Sequence, residues 1–428
     1  MLDHAAPGGP SAATTGAPAP APPVTPERVD VAIVGGGIVG LATALRLLER
    51  RPDVRLVVLE REPAVGAHQS GHNSGVVHAG LYYVPGSAKA RLCREGKGLL
   101  EAYCERRGIP ITFTGKLVVA LSEAELPRLA ALRERGLANG VDGLAEVGPE
   151  RIRELEPHAA GIRALWSPRT GIVDYLAVTQ AYADDVRERG GAIMLNCGVT
   201  AMERSAEGLV VRTTAGDIVA GSVIACAGLW ADRVAAMTGD RTPDAPRIVP
   251  FRGDYYTLTP EAAALVNGLI YPVPDPRFPF LGVHMTRRHD GQVWAGPNAV
   301  LAFKRAGYRR LDISPRDLAE TLTYPGFLRL ARTFWRTGLS EMWRDASRRA
   351  FGDEVRRYVP AIRDDQLVFG PSGVRAQALK RDGTLVDDFD LAGGDRILHV
   401  RNAPSPAATS SLAIGGVLAE QAVSRFAL

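Results

Sequence analysis

The chain has 428 residues, 46% of them apolar and 23% charged, with a net charge of +4. These values fit a globular protein of two or three cores and are too weakly basic to argue for a nucleic-acid partner. The four cysteines, Cys93, Cys104, Cys197 and Cys226, are widely spaced and form no CxxC pair. They suggest neither a zinc site nor a disulfide framework, and they fit a reducing, cytoplasmic compartment.

Residues 1–28 are rich in Ala, Pro, Gly, Ser and Thr. They cannot bury enough apolar surface to offset ordering, so a disordered tail is expected. The tail has neither the charged start and apolar run of a secretory signal nor the arginines of a transit peptide. No later run reaches the ~18 apolar residues of a spanning helix. Val29 to Val34 is a β-branched run typical of a buried parallel strand. Gly35 to Gly37 break it, and Ile38, Leu41, Leu45 and Leu48 then recur at helical spacing. Pro52 and Asp53 end that helix, and Val54 to Leu59 reads as a second buried strand closed by Glu60.

Further along, Lys89 to Arg107 predicts a helix closed by Gly108, Lys116 to Leu121 a strand, and Glu123 to Leu137 a charged helix. Val178 to Arg189 predicts a helix and Ala192 to Leu195 a strand. Leu209 to Thr213 and Asp217 to Val219 flank Ala215-Gly216 as a hairpin, and Val223 to Ala227 follows as a buried strand. Val249 to Val300 reads as short strand pieces among Pro, Gly and aromatics. Ser314 to Tyr358 is the longest helical stretch. Ile397 to Val400 is the last strand, and Thr409 to Phe426 the last helix. Strand–helix alternation at both ends predicts an α/β fold with an α+β part between, as two interleaved domains.

The segment Gly35-x-Gly37-x-x-Gly40 sits between a strand and a helix. The first glycine permits a tight turn, the second lets backbone approach a pyrophosphate, and the third lets helix and strand pack closely. The helix N-terminus offers free N–H groups and a favourable dipole. Glu60, twenty residues after Gly40, is placed to accept hydrogen bonds from a ribose diol and disfavours a 2′-phosphate. The loop alone does not distinguish FAD from NAD.

That choice rests on resemblance. The glycine loop, Val223 to Asp232 and the segment around Arg401 to Ala413 resemble the D-amino-acid-oxidase-type flavoprotein superfamily. Within it, Gly71 to Tyr83, Phe251 to Tyr255, Tyr271 to Asp275, Phe278 to His284, Gly373 to Ala378 and Arg401 to Ser411 resemble the L-2-hydroxyglutarate dehydrogenase/oxidase family. The resemblance implies a Rossmann-like FAD-binding domain interleaved with a mixed-sheet substrate domain. The expected division gives 29–108, 158–240 and 365–428 to the first and 109–157 and 241–364 to the second. It also implies non-covalent FAD, held by Gly35, Gly37, Gly40, Glu60, Arg61, Ser70, Asn73, Ser74, Gly75, Val199, Ala227, Gly228, Pro406, Thr409, Ser410 and Ser411. The implied partners are a small dicarboxylate substrate and an electron acceptor, whether quinone, oxygen or a soluble carrier.

Oxidising a 2-hydroxy acid needs a hydride acceptor, a base for the hydroxyl proton and a cation for the carboxylate. Arg375 is the leading carboxylate ligand, because a planar guanidinium matches a carboxylate in two parallel hydrogen bonds. Gly373-Val-Arg375 also resembles the Gly-x-Arg that holds substrate carboxylate in amino-acid oxidases, although Ala376 stands where many relatives have proline. His78, His72 and His284 are the base candidates, since histidine titrates near working pH. Each is about as readily a structural hydrogen-bonding residue. No carboxylate shares their spacing, so no metal site is expected. Arg252, Tyr255 and Lys304 are candidates for the distal carboxylate, with ion-paired structure as the alternative for Arg252. Thr409 to Ser411 either polarise the flavin or cap the last helix. Phe327 to Arg349, with apolar residues among six arginines and two acids, fits a helix on an anionic membrane surface or a domain-packing helix.

Oxidation of L-2-hydroxyglutarate to 2-oxoglutarate, with hydride passing to flavin N5, is the function this reading implies. Oxidation of another small 2-hydroxy acid or amino acid, and flavin binding without catalysis, are the alternatives.

Overall fold

The computed structural model describes residues 28–239, 245–275 and 281–428. The expected tail up to residue 27, the domain boundary at 240 and the first part of the Phe278-to-His284 segment lie outside the described residues. Two large sheets organise the chain. The first runs Asp390–Gly394, Ile397–Asn402, Gly216–Ala225, Arg28–Val34, Leu56–Leu59, Ala192–Met194. Along this path the strands are parallel except at the Asp390–Gly394 edge, and the antiparallel strands Gly208–Thr213 and Val199–Ser205 branch from Gly216–Ala225. The β-branched run of Arg28–Val34 explains its central place, because a parallel strand is covered on both faces. The helices Ile38–Arg50 and Tyr175–Glu188 share its core with Leu41, Leu45, Val178 and Tyr182.

The second sheet runs Val300–Leu301, Arg247–Leu258, Val293–Gly296, His284–Arg287, Leu269–Pro272, Lys116–Ala120, Arg163–Ser167, Ala145–Val147. Leu367–Leu379 pairs antiparallel along Arg247–Leu258. Two stretches expected in the dinucleotide-binding part, Arg163–Ser167 and Leu367–Leu379, belong to this sheet instead. Their glycines, prolines and arginines carry little strand signal alone, and cross-strand pairing supplies it. Two other expectations change. Asp217 to Val219 and Val223 to Ala227 are one strand, Gly216–Ala225, that leaves the hairpin and enters the parallel sheet. The first of the expected short pieces after Val249 is a twelve-residue strand, Arg247–Leu258.

Between the last part of the second sheet and Leu367–Leu379 lie the helices Pro315–Leu322, Pro325–Ala346 and Arg348–Arg356. The middle one kinks at Phe334. Phe327, Leu330 and Phe334 pack towards Val249, Tyr324 and Leu379, while Leu328, Trp335, Leu339, Met342 and Trp343 are exposed. Among the described residues, no helix is long and apolar enough to cross a membrane. The four cysteines are unpaired.

Candidate active site

Both sheets contribute to one cavity of about 2000 Å³, larger than the ~300–1,000 Å³ of a site for a single drug-sized ligand. At one end lies the glycine loop. Gly35 has φ +109°, and a Cβ there would stand 2.4 Å from the Cys226 carbonyl oxygen. A Cβ on Gly40 would stand 2.0 Å from the Gly35 carbonyl oxygen. These two glycines serve the turn and the packing, and all three line the cavity. Helix Ile38–Arg50 starts with no side-chain cap on Gly37. The Ile38 amide donates to Ser70 Oγ at 2.9 Å, and the Val39 and Gly40 amides have no acceptor among the described residues. Unsatisfied amides at a positive helix end are an anion site.

Glu60 is buried and closes the Leu56–Leu59 strand. Its oxygens accept from the Gly36 amide at 2.7 Å and the Glu62 amide at 2.9 Å. A carboxylate has roughly four lone-pair sites, so acceptors remain for a ribose diol. Arg61 lies over the Trp230 ring at 4.3 Å and lines the cavity. Asn73 fixes the following loop, donating to the Gln69 and Ser70 carbonyls and accepting from the Gly75 amide. Ser74, Val199, Ala227, Gly228, Pro406 and Thr409 also reach the wall. The loop that lets backbone approach, the orphan amides and the buried acceptor together fit FAD.

Three expected cofactor ligands do not reach the cavity wall. Gly75 turns at φ +77° against the Val173 carbonyl, which a Cβ would approach to 2.9 Å. Ser410 packs on helix Ala88–Arg107, where a Cβ on Gly96 would stand 2.5 Å from its Cα. Ser411 Oγ lies 3.3 Å from Tyr182 Oη. Of that triplet only Thr409 faces inward, and its Oγ1 accepts from the His78 amide and pairs with Tyr175 Oη at 2.7 Å.

The other end is basic and aromatic. His72, His78, Tyr255, His284, Lys304 and Arg375 all line the cavity. Strand alternation separates neighbouring residues in the middle of Arg247–Leu258. On Arg247–Leu258, Gly253 and Tyr255 face the cavity while Arg252 and Asp254 face the other way. Arg252 is therefore not a substrate ligand. It is buried, with Nε donating to Asp254 Oδ1 at 2.8 Å and Nη2 to Asp345 Oδ2 at 3.5 Å. On the paired strand, Arg375 lies opposite Phe251 and lines the cavity together with its neighbours Gly373, Val374, Ala376 and Gln377.

His284 is buried and stacked on Tyr271 at 3.9 Å. Its Nδ1 lies 2.9 Å from the Gly282 carbonyl. A carbonyl only accepts, so in the neutral ring Nδ1 carries the proton and Nε2 is the free base. Burial pushes its conjugate acid down to about 3, with the charges of Arg375 and Lys116 adding to the effect. His78 is also pushed down to about 3 by burial, then by Lys116 and His284. His72 stacks on Tyr308 at 4.0 Å, and its Nδ1 meets the Ser372 carbonyl at 3.2 Å. Its conjugate acid is lowered, chiefly by burial. All three rings are held neutral, as a proton acceptor requires.

Tyr82, Tyr271 and Tyr308 were not singled out by residue type, although Tyr82 and Tyr271 lie in the family-like segments. Tyr82 lines the cavity with a buried hydroxyl that has no hydrogen-bond partner among the described residues. Burial raises the Tyr82 phenol well above its ordinary value, so it stays a neutral donor. Among the described residues, lysines and arginines on the cavity wall outnumber acids twelve to six. The acids other than Glu60 are ion-paired, Asp232 with Arg305, Asp275 with Arg128, Asp317 and Glu320 with Arg233, and Asp387 with Lys89. The excess charge suits an anionic ligand. Among the described residues, no group of three His, Cys, Asp or Glu side chains is arranged to hold a metal ion.

The family model for FAD dependent oxidoreductases matches residues 30–421, and FAD is the cofactor of this class. A solved structure of L-alpha-glycerophosphate oxidase from Mycoplasma pneumoniae with FAD bound superposes with a TM-score of 0.76 at 22% identity, covering 93% of this chain and 95% of that one. Glycine oxidase from Geobacillus kaustophilus gives 0.68 at 20% identity, covering 93% and 95%. These likenesses concern the fold. Nearer in sequence are proteins named L-2-hydroxyglutarate dehydrogenase. The mitochondrial one of Nematostella vectensis is 51% identical over 94% of this chain and 92% of its own length. That of Homo sapiens is 49% identical over 93% and 89%. The bacterial one of Indibacter alkaliphilus is 47% identical over 92% and 99%. The chain belongs to the L-2-hydroxyglutarate dehydrogenase family of FAD-dependent oxidoreductases.

Proposed function

We propose that this chain oxidises L-2-hydroxyglutarate to 2-oxoglutarate. The observation that carries the reading is the basic end of the cavity, where Arg375 shares one wall with histidines held neutral. FAD, when bound, supplies the hydride acceptor. Arg375 holds the C1 carboxylate in a fork of two hydrogen bonds. Nε2 of His284, or the ring of His78, accepts the hydroxyl proton. Tyr255 and Lys304, which also line the cavity, are the candidates for the distal carboxylate, and the Tyr82 hydroxyl is a further donor. Ion pairing of the wall acids keeps them from repelling a dianion.

The test is an anaerobic screen of the yellow holoenzyme. L-2-hydroxyglutarate should bleach the flavin with one 2-oxoglutarate formed per flavin. Bleaching by a simple monocarboxylic hydroxy acid or an amino acid, with none by L-2-hydroxyglutarate, would replace this reading with its alternative.

The reaction needs an electron acceptor as well as the small-molecule substrate. The exposed face of Pro325–Ala346 favours a second proposal, that the protein docks on an anionic membrane. Trp335, Leu339, Met342 and Trp343 are 55–66% exposed beside Arg332 and Arg336, a combination of apolar anchors and cations that suits an anionic lipid interface. The holoenzyme should co-sediment with phosphatidylserine-containing vesicles, and a Trp335→Ser/Trp343→Ser variant should not. Equal sedimentation of the two would remove this face from the contact.

A further inference from the structure

Helix Tyr175–Glu188 is started by Asp174, whose side chain accepts from the Leu176 and Ala177 amides at 2.9 and 3.3 Å. The cap makes Tyr175 the first helical residue, and Tyr182 follows about two turns later on the same face. Both tyrosines are buried, and both turn their hydroxyls to the start of helix Ser411–Phe426. Tyr175 Oη lies 2.7 Å from Thr409 Oγ1, and Tyr182 Oη lies 3.3 Å from Ser411 Oγ. The two pairs differ in what they hold.

Thr409 is a junction. Its Oγ1 accepts from the His78 amide at 3.2 Å. The Val76 carbonyl, two residues before His78, lies 3.1 Å from Tyr175 Oη and 3.4 Å from Thr409 Oγ1. Two hydroxyl protons serve the pair and this carbonyl, and whichever way they are shared, a lone pair of Thr409 Oγ1 is left for the His78 amide. The His78 carbonyl in turn accepts from the Cys93 thiol at 3.5 Å. Among the described residues, these main-chain contacts are the hydrogen bonds of His78. The other two cavity histidines differ, since Nδ1 of His284 and of His72 each meets a carbonyl. The aim of the His78 ring is therefore inherited from its peptide, because a side chain takes one of a few rotamers on the backbone that carries it.

We propose that Tyr175 is a positioning residue: through the Thr409 hydroxyl it holds the Val76-to-His78 backbone, and with it the His78 imidazole, in place on the cavity wall. Tyr182, with the same chemistry on the same helix, holds only the C-terminal helix. The proposal rests on the reading that His78 takes part in the reaction, and its test is separable from that reading.

The measurement is NMR of the FAD-loaded protein carrying ¹³C-labelled histidine, with a His78→Asn spectrum for assignment, beside anaerobic stopped flow. In Tyr175→Phe, which deletes one oxygen, the His78 ring signal should shift or broaden. The limiting rate of flavin reduction should fall about two- to tenfold, the worth of one buried hydrogen bond, with the substrate dissociation constant near the parent value. Tyr182→Phe should leave the His78 signal in place. Thr409→Val gives the same reading if Tyr175→Phe is insoluble, and Thr409→Ser, which keeps the hydroxyl, should hold the signal at the parent position. An unmoved His78 signal in Tyr175→Phe that retains FAD would overturn the proposal, whatever the substrate. So would an equal change in Tyr182→Phe, which would mark general loosening of the helix, or a parent reduction rate in Tyr175→Phe where His78→Asn is slow. A signal that moves in an enzyme inert towards L-2-hydroxyglutarate would uphold Tyr175 and reject the proposed reaction. One that moves where His78→Asn reduces at the parent rate would uphold Tyr175 and reject His78 as the base.

Discussion

The two ends of the cavity are built by different means. The nucleotide end comes largely from one contiguous stretch between Arg28 and Glu60, and it acts through backbone, with two orphan amides, close-packed glycines and one buried carboxylate. The substrate end is assembled from side chains far apart in sequence. His72 meets the Ser372 carbonyl 300 residues away, and Arg375 arrives only because Leu367–Leu379 pairs with Arg247–Leu258. Backbone recognition fixes a common ligand. Side chains on strands can change identity without changing the fold, and there the chemistry of a particular member resides.

The largest effect should appear at the substrate end. Losing a general base costs ~10²–10⁴-fold in rate. Of His284→Asn and His78→Asn, the variant lacking the base should bind FAD normally and reduce slowly in anaerobic stopped flow. If both reduce at the parent rate, neither histidine is the base. In the parent, the reduction rate should stay flat as pH falls through neutrality, because both rings protonate only towards about 3. The same shift has a stability consequence. The unfolded ring protonates near ~6.5, so the unfolded state binds more protons between that value and about 3. Stability is therefore full above this window and falls as pH drops through it. Thermal melts of His284→Asn should show a shallower acid slope.

The two adjacent arginines sharpen the contrast. Arg375→Ala should cost about 2–5 kcal/mol in kcat/KM, the loss of a charge-assisted fork in a desolvated site. Arg375→Lys should recover only part, since an ammonium cannot reproduce the fork. Arg252→Ala should instead lower stability by about 1–3 kcal/mol, because Asp254 and Asp345 lose one cationic partner while Arg310 still pairs with both, with kcat/KM of the folded enzyme near the parent value. Denaturant melts beside steady-state kinetics separate the two outcomes, and reversed effects would exchange their places. At the nucleotide end, Glu60→Ala should weaken FAD retention by about 1.5–3 kcal/mol, read by dialysis against dilute FAD. Unchanged retention would take Glu60 out of the ribose site.

Legibility in the sequence follows the same division. The strand, glycine loop, helix and Glu60 are local, so their spacing alone reveals them. Leu367–Leu379 contains Gly370, Pro371 and Gly373 and reads as loop until its partner strand is known. Arg252 and Arg375 look alike as residues. Which one is consumed by structure depends on Asp345, 93 positions from Arg252, and on strand parity. Ser410 and Ser411 read as cofactor ligands because the helix start was visible and its rotation was not. Tyr175 gave no signal, since a tyrosine ahead of an apolar helical stretch ordinarily reads as core packing.

The most direct measurement is a crystal structure of the oxidised holoenzyme with 2-oxoglutarate bound. One carboxylate should lie within hydrogen-bonding distance of both terminal nitrogens of Arg375, with the C2 oxygen facing His284 or His78. A ligand bound elsewhere on the basic wall, with Arg375 untouched, would contradict the assignment of the substrate end.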